Sequence, residues 1–325
     1  MAFRRAPEWI NAACALAAVA ASTAAALVGA TPRAERAPPA LPGAAEVEPI
    51  GAGDGQRYLV DATGARVALA PRRRIASGSL LADPVLLALA APPDIVAFSA
   101  RAPLARDAHR YAGKPSLDPT RRLEQLLELR PDLVLVNSLG DSAWVEQLRA
   151  AGVVVFDLGP MWGLQTFLRS VLQIGWLVDR PQAARELAEQ FRWRLEAIAA
   201  HLGDRSRRGA LYLGVYGGDL FGGTRGSSYH DVLTYAGLRD VAAERFEGWP
   251  KYDPEVLLGL DPELIVTQTG MGAALCERGE LGRLRACGPE GDVIELDGQL
   301  LNDAGLGMLE AAERLHRLAY AGASR

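Results

Sequence analysis

The chain has 325 residues, 49% of them apolar and 23% charged, with a formal net charge of −4. That is the composition of a folded protein, long enough to bury one large core or two ordinary ones, which excludes a disordered or low-complexity chain. Basic residues are scattered among acidic ones, so no footprint for nucleic acid is present.

Arg4 and Arg5 precede an uncharged, alanine-rich run over 10–30. This is the pattern of a basic n-region followed by an apolar h-region. Val28 and Ala30 suit cleavage before Thr31. The run is also about long enough to span a bilayer, which takes roughly 20 apolar residues, so an uncleaved anchor is the competing expectation. Cys14 has too little apolar sequence ahead of it for a lipoprotein box. In either case the body of the protein is expected to be exported. Residues 31–54, rich in Pro, Ala and Gly, read as a flexible linker.

From there the pattern changes. Residues 58–70 alternate around Asp61–Gly64, which predicts a β-hairpin. Strands are predicted at 75–77, 95–98, 133–136 and 153–156, with helices at 83–90, 121–129 and 142–151. Short strands alternating with helices are the rhythm of a parallel sheet. Helices follow at 165–178 and 181–202. In the latter, Ala184, Leu187, Ala188, Phe191, Leu195, Ile198 and Leu202 recur at helical spacing. The alternation then restarts, with strands predicted at 210–216, 264–267 and 293–296 and helices at 229–236, 254–260 and 305–321.

The restart is an internal repeat. RLEQLLELRPDLVLV at 122–136 is echoed by DPEVLLGLDPELIVT at 253–267, so that Glu124 and Glu255 each precede a proline by seven residues. LRAAG at 148–152 is echoed by LRACG at 284–288, and 84–98 more loosely by 231–244. One such piece is common in α/β proteins. Three in the same order predict two similar lobes, and two lobes predict a cleft. The expected division is a leader over 1–30, the linker 31–54, a first lobe 55–180, an inter-lobe helix 181–202 and a second lobe 203–325.

Catalytic and nucleotide-binding motifs are missing. Gly113-Lys114 lacks the rest of a phosphate loop, and the glycine-rich stretch 214–226 contains no G-x-G-x-x-G. There is no G-x-S-x-G and no H-E-x-x-H. The four histidines are scattered, which disfavours a transition-metal cage. Cys276 and Cys287, 11 residues apart in an exported chain, form a disulfide or remain two buried thiols; two cysteines alone do not make a zinc site.

The two Pro-centred repeats, the long middle helix and the leader together resemble the class III substrate-binding proteins of bacterial ABC importers, which bind ferric siderophores, haem and vitamin B12. The resemblance runs from about Arg57 to the C-terminus. It implies two βα lobes with mainly parallel sheets joined by one long helix, a ligand cleft between them and no enzymatic activity or cofactor. It also implies a periplasmic monomer that works with a permease and its ATPase. In that family a glutamate on each lobe docks onto permease arginines; the matching positions are Glu124 and Glu255. The second lobe departs slightly, with Pro262-Glu263 where the first has Pro131-Asp132.

Clefts in α/β lobes lie beyond the carboxyl ends of the strands. The loops expected there carry Arg101, His109, Tyr111, Trp162, Tyr216, Arg225, Tyr229, Trp249 and Tyr252. Aromatic rings offer flat apolar walls and arginines pair with anionic chelators. The leading expectation is an iron chelate such as a ferric siderophore. The alternatives are cobalamin or haem, a zinc or manganese ion, or a sensor domain on the same fold.

Overall fold

The computed structural model describes residues 47–51, 55–99, 108–117, 123–137, 142–160 and 162–320. Three strands open it: β1 (Ile50–Gly51), β2 (Arg57–Val60) and β3 (Arg66–Ala68), paired antiparallel in that order. The expected linker is therefore shortened at its carboxyl end. Ile50 and Gly51 pair with Tyr58 and Arg57, and the Trp176 Nε1–H donates to Val47 O at 2.8 Å. An extended segment beside an open strand edge pairs with it because its backbone groups gain partners.

The hairpin is clipped to the rest by Asp61. Its buried carboxylate accepts from Arg149 Nη2 at 2.5 Å, from the Thr63 and Ala65 N–H groups and from Asp157 N. With so many donors converging, a charge buried away from water is compensated.

The first lobe continues with β4 (Ile75–Ser77), α1 (Ala82–Leu89), β5 (Ile95–Ser99), α2 (Ala108–Tyr111), β6 (Ser116–Leu117), α3 (Leu123–Glu128), β7 (Leu133–Val136), α4 (Ser142–Ala150), β8 (Val155–Asp157) and α5 (Leu164–Leu177). Its sheet is parallel, in the order β6-β5-β4-β7-β8. All four residues of β7 are buried, as a central strand covered on both faces requires.

Helix α6 (Pro181–Ala200) begins with proline, whose missing N–H costs nothing in a first turn. It packs on α5 and, in the second lobe, on α7 (Ser228–Tyr235) and α11 (Gly307–Tyr320). Ala184, Ala188, Phe191, Leu195 and Ile198 form its buried stripe. The approach to α5 is close: a Cβ on Gly175 would lie 2.2 Å from that of Ala184.

The second lobe contains β9 (Gly209–Tyr212), β10 (Gly214–Tyr216), β11 (Asp219–Phe221), β12 (Arg239–Asp240), β13 (Lys251–Tyr252), α8 (Pro254–Leu260), β14 (Leu264–Gln268), α9 (Gly272–Cys276), β15 (Asp292–Leu296) and α10 (Gly298–Leu301). Its parallel sheet runs β12-β9-β14-β15, the order β5-β4-β7-β8 of the first lobe without β6. All three sequence repeats fall on matching elements: α3–β7 on α8–β14, α1–β5 on α7–β12, and the two LRA segments on the approaches to the last strands. Strand 210–216, expected as one piece, breaks after Tyr212. β10, β11 and β13 form a separate antiparallel sheet, which peels away at the carboxyl edge.

The repeat extends to backbone conformation. Arg130 and Asp261, 131 positions apart, both adopt positive φ, at 44° and 38°, ending their helices just before proline. The Asp-to-Glu departure is also explained. Asp132 Oδ2 accepts from the Arg73 and Arg74 N–H groups, and Glu263 Oε1 accepts from Gly209 N at 3.1 Å. Each carboxylate ties its strand to the segment that leads into, or begins, the first strand of its own sheet. Leu126 and Leu257, a further matched pair, are each the buried anchor of their helix. Cys276 and Cys287 are joined by a disulfide with a Cα–Cα distance of 5.6 Å.

Candidate functional site

In both sheets the connections leave in opposite directions from two neighbouring central strands, β4/β7 and β9/β14. Crevices form at such switch points, beyond the carboxyl ends. In the second lobe this position is occupied by aromatic rings. Tyr212 stacks on Tyr229 with centroids 4.1 Å apart and planes 29° from parallel. Trp249 lies 4.9 Å from Tyr229, 5.7 Å from Tyr212 and 5.8 Å from Tyr216, and Tyr216 meets Phe221 at 6.2 Å. Trp249 and Tyr216 remain about 40% exposed, so the shelf presents apolar surface to solvent.

Glycine permits this packing. A Cβ on Gly214 would come within 2.8 Å of the Tyr216 ring, and one on Gly223 within 2.3 Å of Tyr229. The glycine-rich stretch that matched no phosphate motif is thus the bed on which the rings lie. Trp249 is carried in by the backbone pairing of Gly248 with Arg225 and Thr224 and by the strand β13 that follows.

Neutral polar groups hold the phenols. The Tyr229 hydroxyl donates to Asn302 Oδ1 at 2.5 Å, and Gln268 Nε2 donates to the Tyr216 oxygen at 3.2 Å. Burial pushes Tyr212 and Tyr229 far above the usual phenol range, and the Tyr216 phenol adds to the rise of both. Both are therefore neutral phenols rather than phenolates.

The structure gathers Tyr216, Tyr229 and Trp249 of the expected ligand residues into one place. Tyr252 is a correction: it is 2% exposed, inside the core with Leu257 and Phe246. Strand alternation turns its side chain inward while Lys251 points out. Arg225 stands at the rim and faces Glu247 at 3.7 Å. Trp162, 54% exposed, precedes α5 at the point where Gly163 abuts Ser227 and Ser228 of the second lobe. Tyr111 packs on Phe98 at 4.5 Å; His109 is exposed on the short helix α2. Arg101 lies outside the described residues. Tyr212, Gln268 and Asn302 were missed. Tyr212 reads as the interior of the strand expected over 210–216 and becomes a strand end only where that strand breaks, and nothing in the linear sequence marks the two amides; only their place at carboxyl ends does.

Glu124 and Glu255 are exposed in the first turns of α3 and α8. There the helix dipole favours a carboxylate, and this alone accounts for either one. Among the described residues no group of three or more His, Cys, Asp or Glu side chains could hold a metal ion. No described helix is long and apolar enough to cross a membrane.

A family profile described as periplasmic binding protein matches residues 75–299. The chain is 28% identical over 155 residues to a vitamin B12-binding protein of Salmonella typhimurium, covering 47% of this chain and 57% of that one. It is 22% identical over 209 residues to an ABC transporter substrate-binding lipoprotein of Bacillus subtilis, covering 62% and 66%. The alignments thus span less than two thirds of these relatives' own length. In structure it resembles the periplasmic haem-binding protein HutB of Vibrio cholerae, with a TM-score of 0.66 at 20% identity, over 77% of this chain and 99% of the other. With two parallel-sheet lobes, a long helix between them and a profile match across both, the chain belongs to the periplasmic binding protein family.

Proposed function

We propose that the chain is the exported receptor of an ABC importer and that its ligand is a corrinoid, handed to the permease through Glu124 and Glu255. The observation that carries the ligand class is the shelf of Trp249, Tyr216, Tyr229 and Tyr212, bordered by the amides of Gln268 and Asn302. A corrin is broad, rigid and apolar on its face, with neutral amides around its edge. Flat rings match the face, and side-chain amides match the edge. The similarity to a vitamin B12-binding protein supports the same choice.

The second reading is an iron chelate, a ferric siderophore or haem. It is supported by the rim position of Arg225, which would pair with anionic groups, and by the structural likeness to a haem-binding protein. Against it, Arg225 already faces a carboxylate. Titration of the purified protein with cyanocobalamin, haemin and a ferric siderophore separates the readings. Saturable quenching of tryptophan fluorescence is expected with cyanocobalamin and is lost in Trp249→Ala. Tight binding of either iron compound with none of the corrinoid refutes the corrinoid assignment.

A further inference from the structure

Two rings of the shelf, Tyr229 and Trp249, come from separate segments and meet with centroids 4.9 Å apart. Both segments run back to one carboxylate. Asp240, on the edge strand β12, is buried. Its Oδ2 accepts from His230 Nδ1 at 2.8 Å and from the Thr224 hydroxyl at 2.7 Å, and its Oδ1 accepts from Ala242 N at 3.0 Å. His230 adjoins Tyr229 in the first turn of α7. Thr224 N donates to Gly248 O at 3.0 Å, and Gly248 adjoins Trp249. The Thr224 carbonyl also accepts from Ser227 N and Oγ, at the residue that precedes α7. We propose that Asp240 is a positioning residue for ligand capture: through His230 and Thr224 it holds Tyr229 and Trp249 at their mutual spacing before ligand arrives, and the charge on His230 sets how firmly.

A carboxylate removed from water is tolerated only with donors around it, so the segments that supply those donors are held to it. Rings already fixed in the free protein lose little freedom on binding, and less ordering cost then opposes capture. The bond from His230 joins two charges while the imidazole is protonated, and it weakens when the ring becomes neutral. That bond is the chief cause that raises His230, with Asp231 of the same helix adding to the rise and Arg225 of the preceding loop opposing it. Arg192 and Glu196 of α6 act at Tyr235, and His316 of α11 meets Ala236 O at 3.0 Å, both at the far end of α7. Ligand affinity should therefore fall as rising pH removes the charge from His230.

Fluorine NMR of the ligand-free, fluorotryptophan-labelled full chain tests the device without reference to any ligand, the Trp249 signal being identified by its loss in Trp249→Phe. That signal should shift with pH from about 6 to about 9, across a raised histidine value, and should not shift in His230→Gln. A Trp249 signal that stays fixed in the parent, or titrates alike in His230→Gln, overturns the proposal. Titration with cyanocobalamin tests the consequence, which rests on the reading that the shelf takes a corrinoid. Affinity should fall by about threefold or more over the same pH range and stay level in His230→Gln. Thr224→Val, which keeps the shape and loses the hydroxyl, should weaken binding by about fivefold, whereas Thr224→Ser should retain most of the parent's affinity. Equal losses in Thr224→Val and Thr224→Ser, or parental affinity independent of pH, also overturn the proposal. No cyanocobalamin binding by the parent at any pH refutes the corrinoid reading instead, and the role of Asp240 then stands or falls on the Trp249 signal.

Discussion

The Asp231 carboxylate accepts the Leu164 N–H at 2.6 Å, so a side chain in the first turn of α7 caps the amino end of α5 in the other lobe. The approach depends on Gly163, where a Cβ would fall 2.4 Å from Asp231 Oδ2. Together with α6, which packs on both lobes, this bond ties the halves at a second point. An N–H at a helix start has no partner within its helix, and a carboxylate there also meets the positive end of the dipole.

Asp231→Ala is expected to destabilise the protein by about 1 kcal/mol, the usual cost of losing a cap, whereas Asp231→Asn retains an acceptor and costs less. Chemical denaturation measures both. With the junction intact, ligand should change the radius of gyration little, because α6 has no glycine or proline after its first turn at which to bend. A clear contraction in solution scattering on binding contradicts the rigid junction.

Glu124→Ala and Glu255→Ala should each reduce ligand uptake by cells while leaving the affinity of the isolated protein within about twofold. The two carboxylates are exposed on matched helices of the two lobes and belong to no part of the aromatic shelf. Paired charges of this kind act on orientation and association rate. A large loss of affinity in either purified variant would move that glutamate into the cleft.

Two groups, one buried and one half-buried, make stability fall as pH rises, in adjacent windows. Asp83 is pushed up to about 6 by burial, against hydrogen bonds from Ser77 and Ser99. A raised carboxyl means that the native state holds its proton longer than the unfolded chain. Stability therefore declines from about pH 4 to 6, by roughly 3 kcal/mol for a change of this size. His230 is raised chiefly by its hydrogen bond to Asp240, against partial burial, with Asp231 adding to the rise and Arg225 opposing it. Its contribution is complete below the unfolded histidine value near 6.5 and is lost as pH climbs through the higher folded value. Denaturation midpoints measured across pH should lose the lower decline in Asp83→Asn and the upper one in His230→Gln.

Replacing Cys276 and Cys287 by serine should lower stability by about 2–3 kcal/mol, the entropy returned to the unfolded chain by opening a short loop. The span involved is 11 residues, running from the last residue of α9 through the buried Leu281 and Leu284. Thermal unfolding with and without reductant, for both the parent and the double variant, measures the effect. Reductant should lower the parent's midpoint and leave the variant's unchanged.

What the sequence determined by itself is local or periodic. Apolar spacing set α6, continuous apolar runs set β7 and β14, and the Glu-to-Pro repeat announced two matched lobes. Each of these depends on near neighbours along the chain. The aromatic shelf was legible only in part. Tyr216, Tyr229 and Trp249 could be named because loops after strands converge, but Tyr252 has the same character in sequence and is turned into the core by strand alternation. Tyr212, Gln268 and Asn302 come from three distant segments. The Asp231–Leu164 bond spans 67 residues. Which rings stack, which phenol an amide holds and which carboxylate caps a helix of the other lobe were decided only when the sheets had formed. Such contacts depend on side-chain direction and on distances of a few ångströms between remote segments, which no pattern along the chain encodes.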